Sequence, residues 1–424
     1  MQRFLSKNIL INISFFAFVV ILLNRFIKHI LTGYTKDSWG ITEFLINYQG
    51  GFVRRGLLGE ILLSIYNTTG ISPYSIIIST CILAYIALAT FFVRSIIKQG
   101  YPLVFLPFVF FLGNPIINNF WVRKDVILVL LFIAAIYWAD KKSNISLIFY
   151  NLFLSIALLI HESIGFFCLP ILCLLLCKEE LKQPNGYFKT ILTSIYKLVP
   201  SILVFLCVIY FKGSKLVADK IWDSWKLISF PFDTYVVNEP PTAVDGISWT
   251  TIHGLRYTLK NLVAFESGIY IPLAWFLTLV AIYYVLTNTS TLNFRLLNYT
   301  PKRKFDKSIV SATLLFQFLA VSPLFILGCD YGRWVFFWAT SSFALILIIP
   351  QEKLLTILPK LAFSASEKIN TFLSKYLNSK IVLLLCLIIG FPGFSWNLNS
   401  VVNSSFIVML LKSIFNVFTT ILSI

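Results

Sequence analysis

The chain has 424 residues, 58% of them hydrophobic and only 12% charged, with a mean hydropathy of +0.83. A soluble domain of that size could not hide so much apolar surface, so the composition points to a polytopic membrane protein built as one integral all-α bundle over 1–424. The formal charge of +17 does not call for a nucleic-acid partner, because the bases stand in short groups beside apolar runs, where the positive-inside rule puts them.

Crossing the hydrocarbon core takes about 20 apolar residues, or somewhat fewer. Segments predicted to do so are 8–31, 75–93, 102–118, 126–140, 145–160, 164–177, 190–211, 268–286, 308–328, 335–350, 381–396 and 404–424. The opening MQRFLSKN and the apolar run behind it resemble a signal peptide, but no small-residue cleavage site follows, so the first span is expected to be retained. The last segment carries Lys412 at its middle and has an interfacial amphipathic helix as its alternative. About twelve spans result, with the N-terminus on the cytoplasmic side, since bases outnumber acids most strongly in the segments that this orientation puts inside. Arg25, Lys28 and Lys36 run against it, and a long first helix would carry them to the outer interface. Two larger external loops, 32–74 and 212–267, and two cytoplasmic loops, 287–307 and 351–380, complete the layout. The Trp and Pro residues of 212–267 suggest a short ordered cap with interfacial helices. No repeat is visible, and the two halves show no inverted symmetry. The seven cysteines include no CxxC pair, so neither disulfides nor a metal cluster is expected.

The charges carry more information. Cytoplasmic groups are plain Lys/Arg, as in 302-KRK-304, whereas the mixed groups all fall on the external side. The first, 48-YQGGFVRRGLLGE-60, sets Gly50 and Gly51, which permit close backbone approach, beside Arg54 and Arg55, whose planar forks suit phosphate or carboxylate. The acids Asp37 and Glu43 lie upstream. A re-entrant turn whose arginines meet lipid headgroups is the plainer reading. Next, Trp121, Arg123, Lys124 and Asp125 immediately precede an apolar run; snorkelling accounts for one charge at a span end, less readily for three. His161 and Glu162 interrupt an otherwise apolar stretch, as a proton-moving pair or as a polar hairpin turn. Finally, 329-CDYGRW-334 offers Asp330 and Arg333 at pairing distance, with Tyr331 and Trp334 as rings for a sugar face or as an interfacial aromatic belt.

Together these groups describe an external pocket for an anionic, lipid-linked sugar. Arg54, Arg55, Arg123, Lys124 and Arg333 would grip a phosphate or diphosphate and stabilise charge on it as it leaves. Asp37, Asp125 or Asp330 would take the acceptor's proton, with His161 and Glu162 as further catalytic candidates. Trp121, Tyr331 and Trp334 would stack on sugar. No P-loop or dinucleotide pattern appears, which favours a lipid-linked donor over a nucleotide sugar. No cofactor is expected; the external acids leave room for a divalent metal, but no ligand spacing argues for one.

On 51-GFVRRG-56, 123-RKD-125 and the Phe/Ile/Leu-rich spans, the chain resembles the polytopic glycan-assembly proteins of bacterial envelopes, the O-antigen or capsule polymerases and related integral glycosyltransferases. The resemblance implies a multi-pass inner-membrane enzyme acting on polyprenyl-linked sugars, with a chain-length regulator or other glycan-assembly proteins as partners. In the lipid-sugar transferases a catalytic acid often sits in the first external loop, a place that Asp37 matches, with Glu43 in reserve. Polymerases lean on external arginines, which Arg54, Arg55 and Arg123 match. A lipid-linked oligosaccharide flippase and a membrane acyltransferase using His161 are the alternatives.

Overall fold

The structure is a computed structural model that describes residues 38–101, 122–141, 143–177, 187–226, 239–263, 265–266, 268–289, 302–379, 381–382 and 406–422, with Phe16, Val20 and Asn24. The regular elements among the described residues are helices apart from one short antiparallel ladder, β1 (Phe265–Glu266) with β2 (Ile269–Tyr270). They fall in two compact units: residues 34–89 with 122–255, and residues 1–33, 90–121 and 256–424.

In the unit of 34–89 and 122–255, α1 (Trp39–Glu43), α2 (Leu57–Thr69) and the first part of α3 (Pro73–Gln99) precede a set of apolar helices. These are α4 (Asp125–Ala139), α5 (Asn144–Ile160), α6 (Ile164–Cys177), α7 (Tyr187–Lys197) and α8 (Val199–Tyr210), with α4 packed on α5 and α5 on α8. Ser143 opens α5 with a reciprocal capping box to Ser146, satisfying backbone donors that the first turn leaves unpaired. Residues 191–210 form a bent pair, turning by 71° at the α7–α8 break, where Pro200 in the first turn of α8 can donate no backbone hydrogen bond. Asn151 of α5 braces the bend: its Nδ2 donates to the Lys197 carbonyl at 2.9 Å and its Oδ1 accepts from Ser201 Oγ at 2.7 Å.

The stretch 212–267 contains α9 (Lys215–Lys226), α10 (Thr242–Gly246) and α11 (Thr251–Leu262). It fastens the first loop directly. Trp225 Nε1 donates to the Leu45 carbonyl at 2.7 Å, Asn47 Nδ2 donates to Ser224 Oγ at 2.9 Å, and the Thr42 and Thr242 hydroxyls lie 2.7 Å apart. Residues 42–47 of the first loop are therefore packed against α9 and α10.

In the other unit, α12 (Ile271–Thr289), α13 (Lys307–Leu327) and α14 (Tyr331–Ile348) are followed by α15 (Gln351–Ile357), α16 (Lys360–Tyr376) and α17 (Phe406–Leu422). Asp306 caps α13 by accepting from Ser308 N at 2.7 Å and Ile309 N at 3.2 Å. Helix α14 is buried on every side from Tyr331 to Leu347, the mark of a helix at the centre of its unit. It packs against α13, where Trp338 Nε1 donates to the Leu314 carbonyl at 2.7 Å.

Among the described residues four helices are long and apolar enough to cross a membrane: α3, α12, α13 and α14, with the bent pair as a fifth. Helices α4, α5 and α6 are apolar but shorter, at 15, 17 and 14 residues. The predicted span 102–118, and nearly all of 381–396 and of 8–31, lie outside the described residues.

Candidate functional site

The stretch that follows the first predicted span enters the unit through α1, whose N-cap Ser38 accepts from Ile41 N at 3.4 Å. This turn places Glu43 at the helix end with no exposed surface. The chain then reverses at Gly50–Gly51, Gly51 lying at φ 106°, and Glu60 of α2 ties the reversal by accepting from Tyr48 N and Gln49 Nε2, both at 2.9 Å. Arg55 adopts φ 67°, a left-handed conformation that is unusual for a residue with a side chain and marks sites where surrounding contacts override local preference. Those contacts are present. Lys124, fully buried, donates from Nζ to the Arg55 carbonyl at 3.0 Å and to the Ile160 carbonyl at 3.4 Å. Arg54 N donates to the Phe211 carbonyl at 2.9 Å. Behind the loop Gly56 is required, because a Cβ there would stand 2.3 Å from the Tyr48 ring.

Three of the four mixed sequence groups meet here. The Arg123 guanidinium reaches Glu43 Oε2 from NH1 at 2.9 Å, with both side chains buried. His161 ends α5 in an extended conformation, and its Nε2 lies 3.4 Å from Glu43 Oε1. Its Nδ1 accepts from Ser163 N at 3.2 Å, which assigns the ring proton of the neutral imidazole to Nε2, facing Glu43. The next residue, Glu162, receives Arg55 through Nε at 2.9 Å and 3.1 Å and through NH2, and Arg54 NH1 at 3.5 Å. Its Oε2 lies 3.6 Å from His161 Nδ1. Asp125 opens α4, buried, immediately after Lys124, where a carboxylate meets the positive end of the helix dipole.

The arrangement has an inner and an outer layer. Glu43, Arg123, Lys124, Asp125 and His161 are all buried, and charges so placed persist only when paired. Arg54, Arg55 and Glu162 form the reachable edge, with side chains 24%, 21% and 16% exposed. Burial would raise the Glu162 carboxyl, but Arg55 above all, with His161 and Arg54, overcomes it and holds the group well below the usual carboxylate range. Burial pulls the Arg54 guanidinium down, opposed by Glu162 and reinforced by Arg55. Arg54 Nε is buried with no hydrogen-bond partner. Beside this edge runs an aromatic ladder. Tyr48 stacks on Phe52 with ring centres 5.5 Å apart, Phe52 meets Phe211 edge-on at 5.3 Å, and Phe211 meets Tyr210 at 5.0 Å. Phe52, Tyr210 and Phe211 are exposed. Burial, helped by Glu60, pushes the Tyr48 phenol up to about 12, so it keeps its proton.

The fourth group lies in the other unit. Asp330 and Arg333 pair at 2.7 Å, as their i, i+3 spacing suggests. Arg333 also lies over the Trp334 ring, 5.3 Å from its centre. The faces of Tyr331 and Trp334 are engaged inside the protein: Tyr331 packs against Trp275 and Phe325, and Trp334 Nε1 donates to the Gly328 carbonyl at 3.0 Å. Both are buried, so these rings serve the α13–α14 turn. Asp37 and Trp121 lie outside the described residues. Glu43, held in reserve behind Asp37 on sequence, is the carboxylate at the centre of the buried cluster. The aromatic ladder was not singled out on sequence; the hint was the run of rings 48-YQGGF-52, whose partners at 210–211 are far along the chain. No protein-family model, curated protein or solved structure matches the chain.

Proposed function

We propose that the chain is a multi-pass bacterial inner-membrane glycosyltransferase, in the manner of a surface-polysaccharide polymerase, that uses polyprenyl phosphate- or diphosphate-linked sugars at the external face. The observation that carries this reading is the convergence of Arg54, Arg55, Arg123 and Lys124 with Glu43, Asp125, His161 and Glu162 beside apolar helices. Ionisable side chains concentrated beside spans are costly to keep and argue for function. In this reading Arg54 and Arg55 bind the phosphate and stabilise the charge that develops on it as the sugar leaves. The buried Arg123–Glu43–His161 array fixes the imidazole, and His161 and Glu162 are the proton acceptors nearest the reachable edge. The Tyr48–Phe52–Phe211–Tyr210 ladder supplies the apolar surface that a sugar face or the first isoprene unit needs, a role expected on sequence of Tyr331 and Trp334. The about twelve spans, the cytoplasmic N-terminus and the glycan-assembly partners belong to the same proposal.

Reconstitution tests it. The full chain in liposomes, supplied with a polyprenyl diphosphate oligosaccharide, is expected to lengthen the glycan and release polyprenyl diphosphate. Arg54→Ala and Arg55→Ala are each expected to cut turnover by about a hundredfold or more, the scale of losing one donor to a developing negative charge, while the protein still inserts. Full turnover in both variants would remove the arginine pair from the mechanism.

A further inference from the structure

The reachable edge combines a fork of two arginines with a carboxylate already in it. Glu162 receives Arg55 along the two-pronged geometry by which guanidinium also receives phosphate. Its hold on Arg54 is weak, a single contact at 3.5 Å, and Arg54 Nε has no partner at all. A carboxylate has two oxygens and is fully engaged with Arg55; a phosphate, with three, would reach the unused Arg54 donor as well. The two sides of the pair also differ in how firmly they are held. Arg55 is fixed through its backbone, where buried Lys124 grips its carbonyl at φ 67°, and Arg54 is fixed through Phe211. Glu162 instead sits on the short turn between α5 and α6, 16% exposed, with His161 Nδ1 at 3.6 Å as a further neighbour.

We propose that Glu162 is a built-in, exchangeable counter-ion: the Arg54–Arg55 fork holds either this carboxylate or the phosphate group of a ligand, and the incoming phosphate displaces Glu162 from the fork. The inference rests on the glycosyl-transfer reading for its consequence, though not for the exchange itself. Once displaced, Glu162 is a carboxylate relieved of both arginines and beside the bound phosphate. It then takes the proton of the acceptor hydroxyl. The acceptor oxygen forms its bond to the anomeric carbon, and the bond from that carbon to the phosphate oxygen breaks, its electron pair leaving on the phosphate held by Arg54 and Arg55. Proton acceptance is thereby coupled to donor binding, and the site holds back its base until a donor is in place.

The test is a binding comparison on the purified full chain in neutral-lipid nanodiscs, with farnesyl diphosphate as probe and inorganic pyrophosphate and phosphatidylglycerol as competitors. Exchange requires that removing the internal competitor strengthens binding, so Glu162→Gln is expected to bind farnesyl diphosphate about tenfold tighter than wild type, or more, the equivalent of one charge-assisted hydrogen-bond set no longer broken. Arg54→Ala is expected to weaken binding. Unchanged or weaker binding by Glu162→Gln overturns the proposal, because a carboxylate that merely supports the loop would behave so. Should Glu162→Gln fail to fold, Glu162→Asp, which keeps the charge but withdraws it by one methylene, is expected to tighten binding to a smaller degree, and weakening there overturns the proposal equally. Competition by pyrophosphate identifies free diphosphate as sufficient for the exchange; competition by phosphatidylglycerol alone identifies a lipid headgroup as the ligand. Tightening without any effect of the protein on glycan would leave the exchange standing and remove the glycosyl-transfer reading, and a glycan defect without tightening would do the reverse.

Discussion

Arg123 and Glu43 show how much one residue pair decides. Both are buried and joined at 2.9 Å, so removing one strands the other charge away from water. Arg123→Ala is expected to cost about 3–5 kcal/mol, read as a drop in the thermal midpoint of the purified protein. Adding Glu43→Gln to Arg123→Ala is expected to recover part of that loss, because the stranded charge is then gone; a double variant no more stable than the single one would show that packing, not charge, sets the cost. The importance of Arg123 was legible in the sequence, since three adjacent charges before an apolar run are hard to dismiss. That of Glu43 was not. It reads as one acid in a loop, and the arginine that buries with it is 80 residues away. Burial is a tertiary property, and nothing in the local pattern 39-WGITE-43 announces it.

Among the elements, the α5–α6 turn and the α13–α14 hairpin make opposite uses of polar groups near apolar helices. In the α5–α6 turn Glu162 is held ionised well below the usual carboxylate range, chiefly by Arg55 once the effect of burial is overcome. A group depressed in this way stabilises the fold above its unfolded value of about 4.3, and that stability is lost as pH falls from there through the folded value. The melting midpoint of wild type is therefore expected to fall more steeply than that of Glu162→Gln below about pH 4.3; parallel curves would show that the latch adds no stability. In α13, Gln317 is fully buried and neither its amide nitrogen nor its amide oxygen has a hydrogen-bond partner. Replacing it by leucine removes an unsatisfied polar group and is expected to stabilise the protein by about 1 kcal/mol or more, seen as a higher thermal midpoint, whereas a lower one would show that the amide is used. At this scale the sequence was informative about helix positions, because apolar runs are local signals. The same runs were silent about the 71° bend at the α7–α8 break, which lies within the single span predicted over 190–211, and about the packing that engages Tyr331 and Trp334.

For the whole molecule, the expectation of an all-helical chain with apolar helices of membrane length matches the described residues, and the described part of 212–267 is largely helical. Shared sidedness alone suggests one pocket for the four mixed groups. Three of them, at 54–55, 123–125 and 161–162, converge in a single unit, while Asp330 and Arg333 form a local pair in the other. Sidedness in a membrane is a one-dimensional constraint. It puts groups at one depth but not beside one another, and lateral placement depends on helix packing that hydropathy does not encode. The central claim is that the arginine–glutamate cluster serves the assembly of a surface glycan from lipid-linked sugars. Its most direct test is the surface glycan of a strain lacking the gene, resolved on a gel and by mass, with wild type and Arg55→Ala restored in turn. Loss of the long glycan ladder, or a loss of mass per repeat, restored by wild type and not by an equally abundant Arg55→Ala protein, is the expected result. A glycan unchanged in length and mass when the gene is absent would contradict it.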